Sequence, residues 1–154
     1  GSWCLYTTEP IGCAADIERI VDGYRARWRI EELFKVLKSG CAIEKRQLES
    51  AHGLVNALAV YLPIAWRVLR HRNLADEDGD QPASKTMTAL QLKILCKLGR
   101  TKIPLRPTVA DALRAVAALG GHLKRNGPPG WITLARGYER LLTLEEGAQF
   151  GAEM

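Results

Sequence analysis

The residue types best suited to chemistry are gathered between Tyr24 and Lys38. Set at about 100° per residue, Tyr24, Arg27, Glu31, Lys35 and Lys38 fall inside one arc roughly 80° wide. A single carboxylate therefore stands among three cations and a phenol. Carboxylate oxygens are what hard divalent cations take as ligands. Guanidinium and ammonium groups suit phosphate oxygens, and the planar fork of Arg27 can hold two at once. The same arc also fits an ordinary solvated helix face, because Glu31 and Lys35 stand four apart and such a pair stabilises a helix by roughly 0.2–0.5 kcal/mol.

A helix must present that arc. Ala26, Ile30, Leu33, Phe34 and Leu37 recur at helical spacing and predict one continuous amphipathic helix whose apolar side is core. Asp16 is the expected N-cap of the helix that leads in through Ile17, Ile20, Val21 and Tyr24. Ser39-Gly40 supplies the stop. Trp28 sits beside the polar arc, where it either packs in the core or presses on a ligand.

Tyr-x2-Arg-x3-Glu-x6-Lys, read off Tyr24, Arg27, Glu31 and Lys38, with the wording Arg-Trp-Arg-Ile-Glu-Glu, resembles the insertion-sequence-four family of bacterial DDE transposases, which includes the transposon-five transposase. The likeness extends to Trp-x-Leu-x-Thr-Thr-Glu-Pro ahead of the helix. It returns near the C-terminus in Leu119-Gly-Gly, Gly127-Pro-Pro-Gly-Trp131 and Arg136-Gly137, with Ala135 where a Trp is usual.

The resemblance implies an RNase H-like catalytic domain that hydrolyses and joins DNA phosphodiesters with two Mg²⁺ or Mn²⁺ ions. Glu31 would be the third catalytic carboxylate and a metal ligand. Tyr24, Arg27 and Lys38 would grip the backbone of the transposon end, and Trp3 would stack on a base flipped out of the duplex. Lys35 on the same arc, Trp28 beside it, and Lys45 and Arg46 just beyond are further candidate DNA contacts. The other two carboxylates of such a site lie on strands upstream of this helix in the family. With one ligand, the chain alone is expected to bind Mg²⁺ weakly and to cleave nothing. The implied partners are transposon-end and target DNA and a second copy, as a homodimer in the DNA complex. A rival reading is a non-catalytic helical module for DNA binding or dimerisation, with Glu31 in a structural ion pair.

Composition is compatible with either. The 154 residues are 47% hydrophobic, enough for one core without disulfides, and the formal charge of +5 with a pI near 9.2 suits a polyanion. Cys4, Cys13, Cys41 and Cys96 are scattered and read as reduced thiols. With no signal-peptide pattern and no run of about 18 apolar residues, a cytoplasmic protein is expected. Gly1-Ser2 reads as a scar of tag removal.

The expected fold class is mainly α. One short N-terminal strand, from Trp3 to Thr8, and the signature helix would close an RNase H-like domain, and a helical C-terminal domain would follow. Residues 1–72 form the first unit, ending in a helix capped by Ser50 that runs from Ala51 to about Arg72, with His52 and His71 at the surface. The acidic stretch at 73–84 reads as a mobile linker. Residues 85–154 form a helical dimerisation domain, with one helix capped by Thr88 or Thr86, another capped by Thr108, and a last helix bearing Ile132, Leu134, Tyr138, Leu141 and Leu142.

Overall fold

Hydroxyl caps set where the central helices begin. The Ser50 hydroxyl accepts the Gly53 N–H at 3.0 Å and opens α3 (Ala51–Asp78). Thr88 and Gln91 exchange bonds of 3.1 Å at the start of α4 (Ala89–Leu98), and Thr108 with Asp111 does the same for α5 (Val109–Leu119). Each of these boxes satisfies two backbone donors that the helix itself leaves bare. Ahead of them lie α1 (Ala14–Ala26) and α2 (Trp28–Lys35), and behind them α6 (Trp131–Glu153). This computed structural model describes residues 4–99 and 101–153.

One core joins these pieces. Val36 and Leu37 from the turn after α2 meet Ile64 and Val68 of α3, Leu95 of α4, Val116 of α5 and Leu134 and Leu141 of α6. The α5–α6 contact is a backbone-on-backbone crossing. A methyl group on Gly120 would overlap the Thr133 carbonyl oxygen, and one on Gly137 would overlap the Val116 carbonyl oxygen. At the next contact, a Cβ on Gly40 would lie 3.2 Å from the Trp131 carbonyl and 3.4 Å from the Ala135 Cβ. Ala135 is fully buried there, at the position where the resembling family carries a Trp.

The expected N-terminal strand does not form over residues 4–8, and Trp3, its expected start, lies outside the described residues. Residues 4–8 have no regular structure, and the only bridge among the described residues is an isolated one between Pro82 and Thr108. Aromatic and β-branched content favours a strand only where a neighbouring strand can pair with it, and no strand is present among the described residues.

The helix expected to run unbroken past Lys38 is interrupted twice. A turn at Arg27 separates α1 from α2, and Val36–Gly40 forms a π-turn, wider than an α-helix. Its apolar face is buried only at the end. Leu37 is in the core, but Ile30 is 55% and Phe34 53% exposed, because nothing in the described residues covers them. Asp16 is not the cap either. Cys13 holds that position, and Asp16, three residues on, accepts the N–H groups of Gly12 and Cys13 at 3.0 and 3.1 Å.

The linker expected at 73–84 is structured. Helix α3 runs on to Asp78, and the turn Ala83–Lys85 buries Ala83 in the common core. Asp76, Glu77 and Asp78 are the exposed side of the last α3 turn, and the chain leaves the helix only at Gly79, before Asp80. His71, expected at the surface, is 1% exposed.

By length and composition alone, with a mean hydropathy of 1.2, α3 is also long and apolar enough to cross a membrane, and 22% of that window is buried.

Candidate nucleic-acid interface

The joint between α1 and α2 brings three of the signature residues together. Because Arg27 sits at the turn, its guanidinium carbon stands 5.7 Å from the centre of the Tyr24 ring, while Nη1 lies 3.8 Å from Glu31 Oε1 one helical turn on. Glu31 thus pairs with Arg27 and not with Lys35, the partner its i,i+4 spacing suggests as readily. Both partners are more than half exposed, so the pair is open to water and easily exchanged.

Tyr24 and Arg27 also line a groove of about 790 Å³ together with Trp28, Leu5, Ile17 and Val21. Trp28 is 65% exposed. Of its two sequence readings the structure therefore excludes core packing within the described residues, and leaves an indole wall beside a guanidinium. Trp3 lies outside the described residues.

Lys35 and Lys38 part from the other three. Lys35 opens on a second groove, of about 380 Å³, formed with Ser39, His122, Asn126, Pro128 and Trp131. Lys38 is carried by the π-turn, and its Nζ lies 3.0 Å from Glu44 Oε1. Sequence reasoning missed Glu44, and no helical spacing links the two residues.

Beyond the π-turn, Arg46 stacks with its guanidinium carbon 4.0 Å from the Tyr61 ring centre and stands 3.9 Å from Glu139. It ties the turn Ile43–Lys45 to α3 and α6, a structural duty that the sequence did not reveal. Lys45 is exposed. Cys41, buried at the end of the π-turn, has its thiol pushed up to about 11, chiefly by burial and then by Glu139, against the opposing charge of Arg46. It is therefore protonated and unreactive at neutral pH.

His71 is the other residue that reading the sequence misplaced. Its Nε2 lies 2.9 Å from the Val109 carbonyl and its Nδ1 2.6 Å from the Tyr138 hydroxyl. It shares a helical face with Ile64, Val68 and Ala75, a spacing of four, three and four that marks it as a core position.

Metal binding is the part of the site these residues do not complete. Among the described residues no three of His, Cys, Asp and Glu stand together as a metal site. Glu31 offers one carboxylate whose nearest charged partner is a cation. This suits one ligand of a hard-cation centre and not the whole set.

Residues 7–64 match the family model of the transposase DDE domain. The matched stretch holds α1, α2, the π-turn and the first half of α3. It contains Tyr24, Arg27, Glu31, Lys35, Lys38, Lys45 and Arg46, so the likeness falls on the same surface as the exposed cations and aromatics.

Proposed function

Starting from the likeness of residues 7–64 to a transposase DDE domain, we propose that this chain is part of a cut-and-paste DNA transposase of the insertion-sequence-four type. The observation that carries the reading is that the matched stretch includes Tyr24, Arg27, Glu31 and Lys38, the four residues of the Tyr-x2-Arg-x3-Glu-x6-Lys pattern. Glu31 is the third metal-binding carboxylate of an RNase H-like site. With two further carboxylates supplied by the intact enzyme, Glu31 would hold Mg²⁺ or Mn²⁺, which would supply the Lewis acid for phosphodiester hydrolysis and strand transfer.

The chain's own part is grip. Arg27 and Lys38 neutralise phosphates, and Tyr24 donates its phenolic hydrogen to the same backbone. Trp28 presents a flat apolar face next to Arg27, and Lys35, Lys45 and Arg46 extend the cationic track. The exposed side of α2, with Ile30 and Phe34, is covered by the rest of the catalytic domain. Residues 85–154 bring two copies together on DNA, and the protein works in the cytoplasm.

A second reading is favoured by the 3.8 Å contact between Arg27 and Glu31. In it the carboxylate serves only that pair, and the helices form a non-catalytic module for DNA binding or dimerisation. A salt titration of binding to hairpin and blunt duplex ends tests both, using wild type, Lys38→Ala and Glu31→Ala. Binding that weakens with salt, drops in Lys38→Ala and holds or improves in Glu31→Ala supports the transposase surface. Binding that also drops in Glu31→Ala supports the structural pair, and binding indifferent to salt removes the DNA reading altogether.

A further inference from the structure

One cation of the proposed interface is already paired. Lys38 Nζ and Glu44 Oε1 are 3.0 Å apart, while both side chains keep more than half of their surface in water. Glu44 lies six positions after Lys38, so this is no i,i+4 helix pair. It exists because the backbone between them is bent to a particular shape.

That shape is built in three steps. The π-turn closes with the Cys41 N–H on the Val36 carbonyl at 2.9 Å. Ala42 then takes the left-handed conformation, φ 52° and ψ 38°, which residues with a Cβ adopt reluctantly. The chain doubles back into Ile43–Lys45, with the Lys45 N–H on the Ala42 carbonyl at 3.0 Å. Both sides of the bend are anchored, by buried Val36, Leu37 and Cys41 before it and by Arg46 on the Tyr61 ring after it. The core therefore fixes where Glu44 stands.

We propose that Glu44 is a built-in competitor of the DNA phosphate at Lys38, a gate that holds the ammonium until a phosphate displaces the carboxylate. The inference rests on the reading of Lys38 as a phosphate ligand. When DNA arrives, Nζ leaves the Glu44 carboxylate, which returns to water, and takes up a phosphate oxygen. Every complex is weakened by the strength of the pair, so duplexes that engage few other contacts are the first to be refused. An exposed pair is weak, and the gate is correspondingly small, roughly two- to fivefold in affinity.

Fluorescence anisotropy with a short blunt duplex at low salt tests this in a double-mutant cycle. Glu44→Gln is expected to bind two- to fivefold more tightly than wild type, Lys38→Ala more weakly, and Glu44→Gln to add nothing in the Lys38→Ala background. The same gain in both backgrounds would mean that only net charge had changed, and the gate is overturned. No gain in either overturns it as well.

A second measurement keeps the gate apart from the DNA reading. Without DNA, acetylation of Lys38 by an amine-reactive ester, followed by mass spectrometry, is expected to run faster in Glu44→Gln. An unchanged rate refutes the pair itself while leaving DNA binding intact. Faster acetylation in a protein whose wild type binds no duplex refutes the DNA reading, and the gate falls with it.

Discussion

The Tyr138 hydroxyl donates to His71 Nδ1 at 2.6 Å, and the opposite ring nitrogen, Nε2, donates to the Val109 carbonyl at 2.9 Å. The tautomer follows from the partners, since a carbonyl only accepts and Nε2 must therefore carry the hydrogen. One neutral imidazole thereby fastens α3 to α5 and α6 inside the core. Burial depresses its pKa to about 4, against a smaller opposing effect of the Val109 bond.

That depression sets a pH dependence. The unfolded chain takes up a proton near pH 6.5 and the folded chain only near 4, so the stability due to neutral His71 is full above 6.5 and is lost as pH falls towards 4. The loss is on the order of 3 kcal/mol. Urea denaturation between pH 7 and 4 measures it, and a His71→Phe variant should show a flatter profile over that window. An equal decline in both proteins would assign the effect to other groups.

The crossing of α5 and α6 leaves no room for a Cβ. Gly137→Ala must push α6 away from the Val116 carbonyl, and Gly120→Ala must do so at Thr133. Each is expected to destabilise by about 3 kcal/mol or more. Gly147→Ala, whose added methyl meets nothing within 4 Å, should be neutral or slightly stabilising. Thermal melts of the three variants would show the contrast.

At Ala42 the sign reverses. Its φ of 52° is conformationally costly for alanine and ordinary for glycine. Ala42→Gly should gain roughly 0.5–1 kcal/mol, net of the extra freedom glycine has in the unfolded chain. A loss of stability in denaturant titrations would mean that the turn is held differently.

For the proposed interface, the slope of log affinity against log salt should flatten by about one unit in Lys38→Ala and again in Arg27→Ala, since each removes one phosphate contact. Arg46→Ala should do more harm to stability than to the slope, because its guanidinium lies over the Tyr61 ring. A slope unchanged in all three would place DNA elsewhere.

What could be read from the chain followed local rules. Ser50, Thr88 and Thr108 cap the helices they were expected to cap, because a cap needs only its own hydroxyl and the next three residues. The strand expected from Trp3 to Thr8 does not form over residues 4–8, because a strand is a property of two segments. The acidity of residues 73–84 suggests a linker, yet no glycine or proline interrupts the stretch before Gly79, and α3 runs through it to Asp78. At the candidate site, helical spacing puts Tyr24, Arg27 and Glu31 on one arc, but it suggests Lys35 as the partner of Glu31, whereas the pair that forms is Arg27–Glu31. The departure of Lys38 was not legible, because a π-turn has no simple sequence signature and the spacing of 100° per residue does not carry through it.

Helix α3 gives the molecule a mast. Its 28 residues make it about 42 Å long, and only its far half, from Ile64 to His71, is stepped in the core. Apart from Tyr61, which meets Arg46 and the core, the near half is open, with Val55 62% and Val60 59% exposed. Whatever seats on that free length is held at a fixed reach and angle from the α5–α6 crossing.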